Sequence, residues 1–213
     1  MSNKIGGILE RLAAVEQELE AALTQELEEK QKDFRYRIDK KKILFEKEME
    51  EVNRTMRQGV VAFLASTPIM SLLVAPVIYS LYIPLFLLDL WIGLYQAVCF
   101  RAYGIPRVQR SDYIVLDRGG LAYLNVIEQF NCNYCGYANG LVGYAREVAS
   151  RTEQYFCPIK HARKILGTHD RYRNFFDFGD GERYRQELER LREELKKGPS
   201  EGTETNAKTS ATP

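Results

Sequence analysis

The chain has 213 residues and nearly balanced charge, 30 Lys/Arg against 29 Asp/Glu. That balance argues against a nucleic-acid partner, which calls for a basic surface. The length leaves room for one ordinary soluble domain or less once its apolar middle is set aside.

Residues 1–57 carry 12 Lys/Arg and 13 Asp/Glu. No signal peptide is expected, because Met-Ser-Asn-Lys-Ile-Gly-Gly leads directly into a charged helical pattern. From Ile8 to Met56 apolar residues recur at Leu12, Val15, Leu19, Leu23, Leu27, Phe34, Ile38, Phe45, Met49, Val52 and Met56, mostly three or four apart. No Pro or Gly interrupts them, so the pattern predicts one long charged helix over 1–57. Its narrow stripe suits a coiled coil that self-associates or binds a protein partner. It equally suits a solvated amphipathic helix resting on its own chain. The seam is imperfect near Lys30 and Lys41.

Between Gly59 and Phe100 lie 42 residues whose only charge is Asp89. A crossing of the hydrocarbon takes ~20 apolar residues as helix, so residues 58–100 predict a two-helix transmembrane hairpin. Its turn is expected at Tyr79-Ser80-Leu81-Tyr82-Ile83-Pro84, after a first segment holding Pro68 and Pro76. The turn is almost wholly apolar, so a wedge entering and leaving one leaflet is the alternative. Arg54 and Arg57 precede the run, and Arg101, Arg107 and Arg110 follow it. Basic flanks on both sides place both termini in the cytoplasm. Asp89 is costly at bilayer depth. It reads either as a hydrogen-bonded structural group or as a functional one.

Residues 101–181 predict a small helical cytosolic module. Tyr113–Leu116 reads as a short strand or extended segment, Leu121–Phe130 and Tyr137–Tyr155 as two helices, and Pro158–Ile165 as a third. Residues 182–197 read as a charged helix, and 198–213 as a disordered tail. The fold class expected is mainly α.

The module carries the spacing Cys132-x2-Cys135-x21-Cys157-x3-His161. A C-x2-C turn followed by Gly136 forms a knuckle, and two donors four apart on a helix share a face. Together they predict a Cys3His site for a structural zinc, with an iron centre as the lesser alternative. Cytosolic thiols are reduced, which favours ligation over disulfides. Buried inert thiols and a redox-active Cys132/Cys135 pair remain open. Cys99 reads as packing, His169 as a surface residue, and Glu128 and Glu153 as nearby carboxylates. No metalloprotease, deaminase, phosphate-loop or serine-nucleophile pattern is present, so no catalytic residue is assigned.

The runs Asn131-Cys132-Asn133-Tyr134-Cys135-Gly136-Tyr137-Ala138-Asn139-Gly140 and Arg151-Thr152-Glu153-Gln154-Tyr155-Phe156-Cys157-Pro158-Ile159-Lys160-His161-Ala162 resemble a family of small, uncharacterised bacterial membrane proteins. Ile83–Trp91 and Tyr103-Gly104-Ile105-Pro106 are similar to it too, so the resemblance covers about residues 80–165. It implies a bacterial inner-membrane location and carries no activity with it. The expected function is a membrane-anchored scaffold or adaptor, in contact with lipid. The alternative is a membrane-bound metal-dependent or redox enzyme acting on a lipid or quinone-like substrate.

Overall fold

A computed structural model describes residues 2–34, 36–39, 42–45 and 47–197. The tail expected over 198–213 lies outside these. The described chain is mainly α-helical. It divides into two units, residues 1–58 with 120–125, and 59–119 with 126–213.

In the first unit the expected continuous helix is interrupted. Helix α1 spans Ser2–Asp33, followed by strands β1 (Tyr36–Asp39) and β2 (Lys42–Phe45) and helix α2 (Lys47–Thr55). The strands pair antiparallel, with Tyr36 opposite Phe45, Ile38 opposite Ile43 and Asp39 opposite Lys42. The physical reason lies in a change of period. Tyr36/Ile38 and Ile43/Phe45 alternate by two and are aromatic or β-branched, residues that favour a pleated pair. A helical stripe read across them misses this switch. On α1, Val15, Leu19, Leu23 and Leu27 are all exposed.

The second unit opens with helix α3 (Val60–Ser66). Thr67 and Pro68 are extended and end it. Beyond them the chain runs as one apolar helix, α4, Ile69–Tyr103, 35 residues. At 1.5 Å per residue it is ~52 Å long, more than a ~30 Å hydrocarbon core requires. It is the one helix among the described residues long and apolar enough to cross a membrane.

The hairpin turn expected at Tyr79–Pro84 is therefore corrected: that segment is helical. Leu81 keeps right-handed helical dihedrals, its N–H donates to Ile78 O, and Leu85 N donates to Leu81 O. An apolar turn in lipid would strand its peptide groups, whereas a helix satisfies them internally. Pro84 adds only one missing N–H. The chain breaks at Pro68 instead.

Near its end α4 widens into a π-turn at Gln96–Phe100, where Gln96 and Phe100 are both 0 % exposed. It stops at Gly104, whose φ of 67° is left-handed, and Ile105 N donates back to Phe100 O. This is a Schellman ending, with Phe100 and Ile105 both buried as its apolar contact. Pro106 prevents the helix from resuming.

Helix α5 is Val126–Phe156, 31 residues. It replaces the two helices expected at 121–130 and 137–155. Tyr79 donates to Asn131, Gln96 donates to Tyr144, and Tyr103 packs on Tyr155 and Phe156. Partner numbers rise together, so α4 and α5 are parallel. Parallel neighbours need a return path, and residues 105–119 supply it as a strap of irregular chain and short 3-10 turns running back between them. Val108 meets Gln96, Arg110 meets Asp89, and Tyr113 to Val115 pass over Gly143, Gly140 and Gly136 of α5.

Those three glycines sit at i, i+4 and i+7, on one face of the helix. A methyl group at Gly140 would lie 2.5 Å from Tyr113 O and 2.9 Å from Ile114 Cα. The groove exists because these side chains are absent. Ile92, Phe100, Ile105, Val108, Ile114, Leu141, Tyr144 and Val148 close the core around the strap.

The helix expected over 158–165 does not form. Ile159 instead bridges to Phe176, and Asp170–Asn174 makes a 3-10 turn. Helix α6 (Gly181–Lys197) matches expectation and packs on α5 through buried Leu191 and Leu195.

Candidate functional site

The predicted metal ligands do not converge. Cys132 and Cys135 lie inside α5, not on a knuckle, and Cys157 follows its last residue. The 25 positions from Cys132 to Cys157 correspond to ~37 Å of helical rise, where ligands of one zinc must all lie within ~2.3 Å of it. His161 is beyond, stacked 6.2 Å from the Tyr172 ring. Among the described residues no group of three or more His, Cys, Asp or Glu could hold a metal. The Cys3His donor set thus does not fit zinc or iron within one chain. The motif has another structural reason: Gly136 and Gly140 floor the strap's groove, while Tyr134, Tyr137 and Tyr144 face α4.

Two polar assemblies stand out in this unit. The first holds the strap to α4. Arg110 grips Asp89 with a fork, Nε to Oδ1 at 3.0 Å and Nη2 to Oδ2 at 2.6 Å, and Tyr137 Oη donates to Oδ2 at 3.1 Å. Asp89 is therefore a paired structural carboxylate, the cost of a charge on an apolar helix being offset by its guanidinium. The partner from the strap could not be read from helical spacing. Seven residues further on, buried Gln96 accepts from Val108 N at 2.8 Å and donates to Tyr144 Oη.

The second assembly is a polar cleft of about 410 Å³ between α5 and the turn 169–174, with Tyr113 at its edge. Glu147 is its centre. Arg151 Nε reaches Glu147 Oε1 at 2.8 Å, and Arg171 Nη2 reaches it at 2.7 Å. His169 Nε2 lies 2.9 Å from Glu153 Oε2. His169 and Glu153 thus belong to a partly buried pair, correcting the surface reading of His169. Arg146 reaches across to the carbonyls of Gly167 and Thr168. Sequence reasoning missed Glu147, Arg146, Arg151 and Arg171. The available signal was Glu147 and Arg151 four apart on a helix face.

Burial pushes the Glu147 carboxyl up, but hydrogen bonds and charge from Arg171 and Arg151 outweigh it and hold the group below the ordinary 4.5. A depressed carboxyl contributes stability above its unfolded value and loses it as pH falls through the folded one. The second unit should therefore hold its stability from neutral pH down to about 4.5 and weaken below that. Glu147→Gln should flatten this acid limb and lower the melting temperature at pH 7. Urea midpoints measured between pH 3 and 7 check it, and parallel curves for the two proteins would contradict the assignment.

Comparisons with family models, curated proteins and solved structures give no match.

Proposed function

We propose that the protein is a membrane-anchored adaptor of the bacterial inner membrane. The observation that carries this reading is α4: only 6 % of its most apolar 18-residue stretch is buried by protein. Leu73, Val77, Ile83, Phe86, Leu90 and Trp91 all stand exposed, a surface that lipid covers and water does not favour. Among the described residues no nucleophile–base pair or ligand cluster gives a catalytic alternative comparable support.

Residues 59–78 bury nothing in α3 and in α4 up to Ile78. From Tyr79 onward one side of α4 carries α5, with Glu128, Asn131 and Asn139 on it. These polar groups resist full immersion. The reading is a wedge: residues 59–78 enter the bilayer, and α4 from Tyr79 on keeps only its outer face in lipid. Both basic flanks then stay cytoplasmic, in keeping with the positive-inside rule. The stripe Val15, Leu19, Leu23 and Leu27 on α1 is the surface offered to a second copy or another coil.

Cysteines introduced at positions 20 and 180 of an otherwise cysteine-free chain should both be shielded from impermeant maleimide until the inner membrane is opened. Labelling of just one of them in intact spheroplasts would rule the wedge out. Recovery of the whole protein in the soluble fraction would rule out the anchor.

A further inference from the structure

The cleft around Glu147 has more positive charge and more unspent donors than its own carboxylates absorb. Three arginines border it, Arg146, Arg171 and Arg173, against Glu147 and Asp170. Glu147 is already neutralised by Arg151 and Arg171. Arg146 spends its bonds on backbone carbonyls, and neither Arg146 nor Arg173 forms an ion pair among the described residues.

Two atoms of lining residues, Arg171 Nε and His169 Nδ1, are buried and have no hydrogen-bond partner among the described residues. The first is a fixed donor. The second is the remaining ring nitrogen of an imidazole whose Nε2 faces Glu153, and whether it accepts or donates follows the tautomer and charge of the ring. Unpaired buried polar atoms are costly, and as both are closed off from the cleft, a ligand reaches them only when these two side chains turn toward it.

We infer that this cleft binds a phosphate monoester. Its anionic oxygens take N–H groups of Arg173 and Arg146, and Arg171 Nε and His169 Nδ1 pair with it as their side chains turn toward the cleft. Arginine forks match phosphate oxygens in geometry and charge. A neighbouring cleft of about 420 Å³ also includes Arg173, but its Arg183 and Arg190 are both committed to Glu187. The unpaired buried atoms, Arg171 Nε and His169 Nδ1, lie on the Glu147 side. A monoester could reach it as a soluble metabolite or as the headgroup of an anionic lipid, and both present the same chemistry.

The test uses the full chain in detergent, titrated calorimetrically with glycerol phosphate and with inorganic phosphate. Saturable binding is expected, weakened at least about tenfold in Arg173→Ala and in Arg171→Lys, the size of one lost charge-assisted bond. Arg173 is exposed and unpaired, so its variant should melt as the wild type does without ligand. Failure to saturate by about 10 mM, a bound of roughly -3 kcal/mol on affinity, overturns the inference. So does unchanged affinity in both variants. Competition then identifies the source, both outcomes upholding the site. Displacement by nanodiscs containing phosphatidic acid, and not by phosphatidylcholine alone, assigns a headgroup. Displacement by neither assigns a soluble ester.

Discussion

Gly140→Ala should cost the second unit roughly 2 kcal/mol, although the same change in an open helical position stabilises. The added methyl group would sit 2.5 Å from Tyr113 O and 2.9 Å from Ile114 Cα, both backbone atoms of the strap. Backbone cannot swing aside as a side chain can, so the strap must lift from α5. Overpacking of this kind costs about 1–3 kcal/mol or more, against ~1 regained from helix propensity. Gly93→Ala is the internal comparison. It lies in α4 with nothing within 4 Å of the new atom, so it should raise stability by up to ~1 kcal/mol. Thermal unfolding of both variants in one detergent measures the contrast. Equal shifts would mean that the strap is not seated in the glycine groove.

Gln96→Leu is the second large effect. Gln96 is fully buried and bridges two elements, accepting from Val108 N on the strap and donating to Tyr144 Oη on α5. Leucine fills similar space yet leaves Val108 N–H and the tyrosine hydroxyl unpaired in the core. At ~1–3 kcal/mol for each of the two orphaned groups, the loss should reach about 2–6 kcal/mol. Adding Tyr144→Phe removes one orphan and should recover part of that, a coupling of at least ~0.5 kcal/mol. A single-mutant loss under ~0.5 kcal/mol, or strict additivity of the pair, would show that water or another group serves these atoms.

These two sites also show where reading the chain from its pattern succeeds and where it stops. Helical character, the apolar run and the charged helix at 182–197 follow from local periodicity, and each is seen. The break in that apolar run is set by where an interruption can be satisfied. Pro68 follows a short helix and stands at an extended joint, while Pro84 falls in a helix already under way. Gly136 was ambiguous for a different reason. After C-x2-C it reads as a knuckle, yet Gly140 and Gly143 extend it into a small-residue face whose meaning depends on residues 113–115, more than twenty positions upstream. Pairings such as Arg110 with Asp89, or Arg171 with Glu147, are likewise set by topology. No spacing rule reaches across a strap or a turn to find them.

The parallel arrangement of α4 and α5 also orders events during synthesis. The chain leaves the ribosome from its N-terminus, so α4 is complete 53 residues before Phe156 closes α5. At about 5–20 residues per second that interval lasts roughly 3–10 s. Throughout it, Asp89 and Gln96 are present on an apolar helix whose guanidinium, hydroxyl and strap partners have yet to be made or docked. A nascent α4 that plunged at once to full depth would carry both groups, unpaired, into hydrocarbon. One that waits at the headgroup level keeps them wet until Arg110 and Tyr144 arrive. On the membrane-anchored reading proposed above, the last helix to be docked would set how deep the first one settles, and the polar residues of α4 would act as a delay on its insertion.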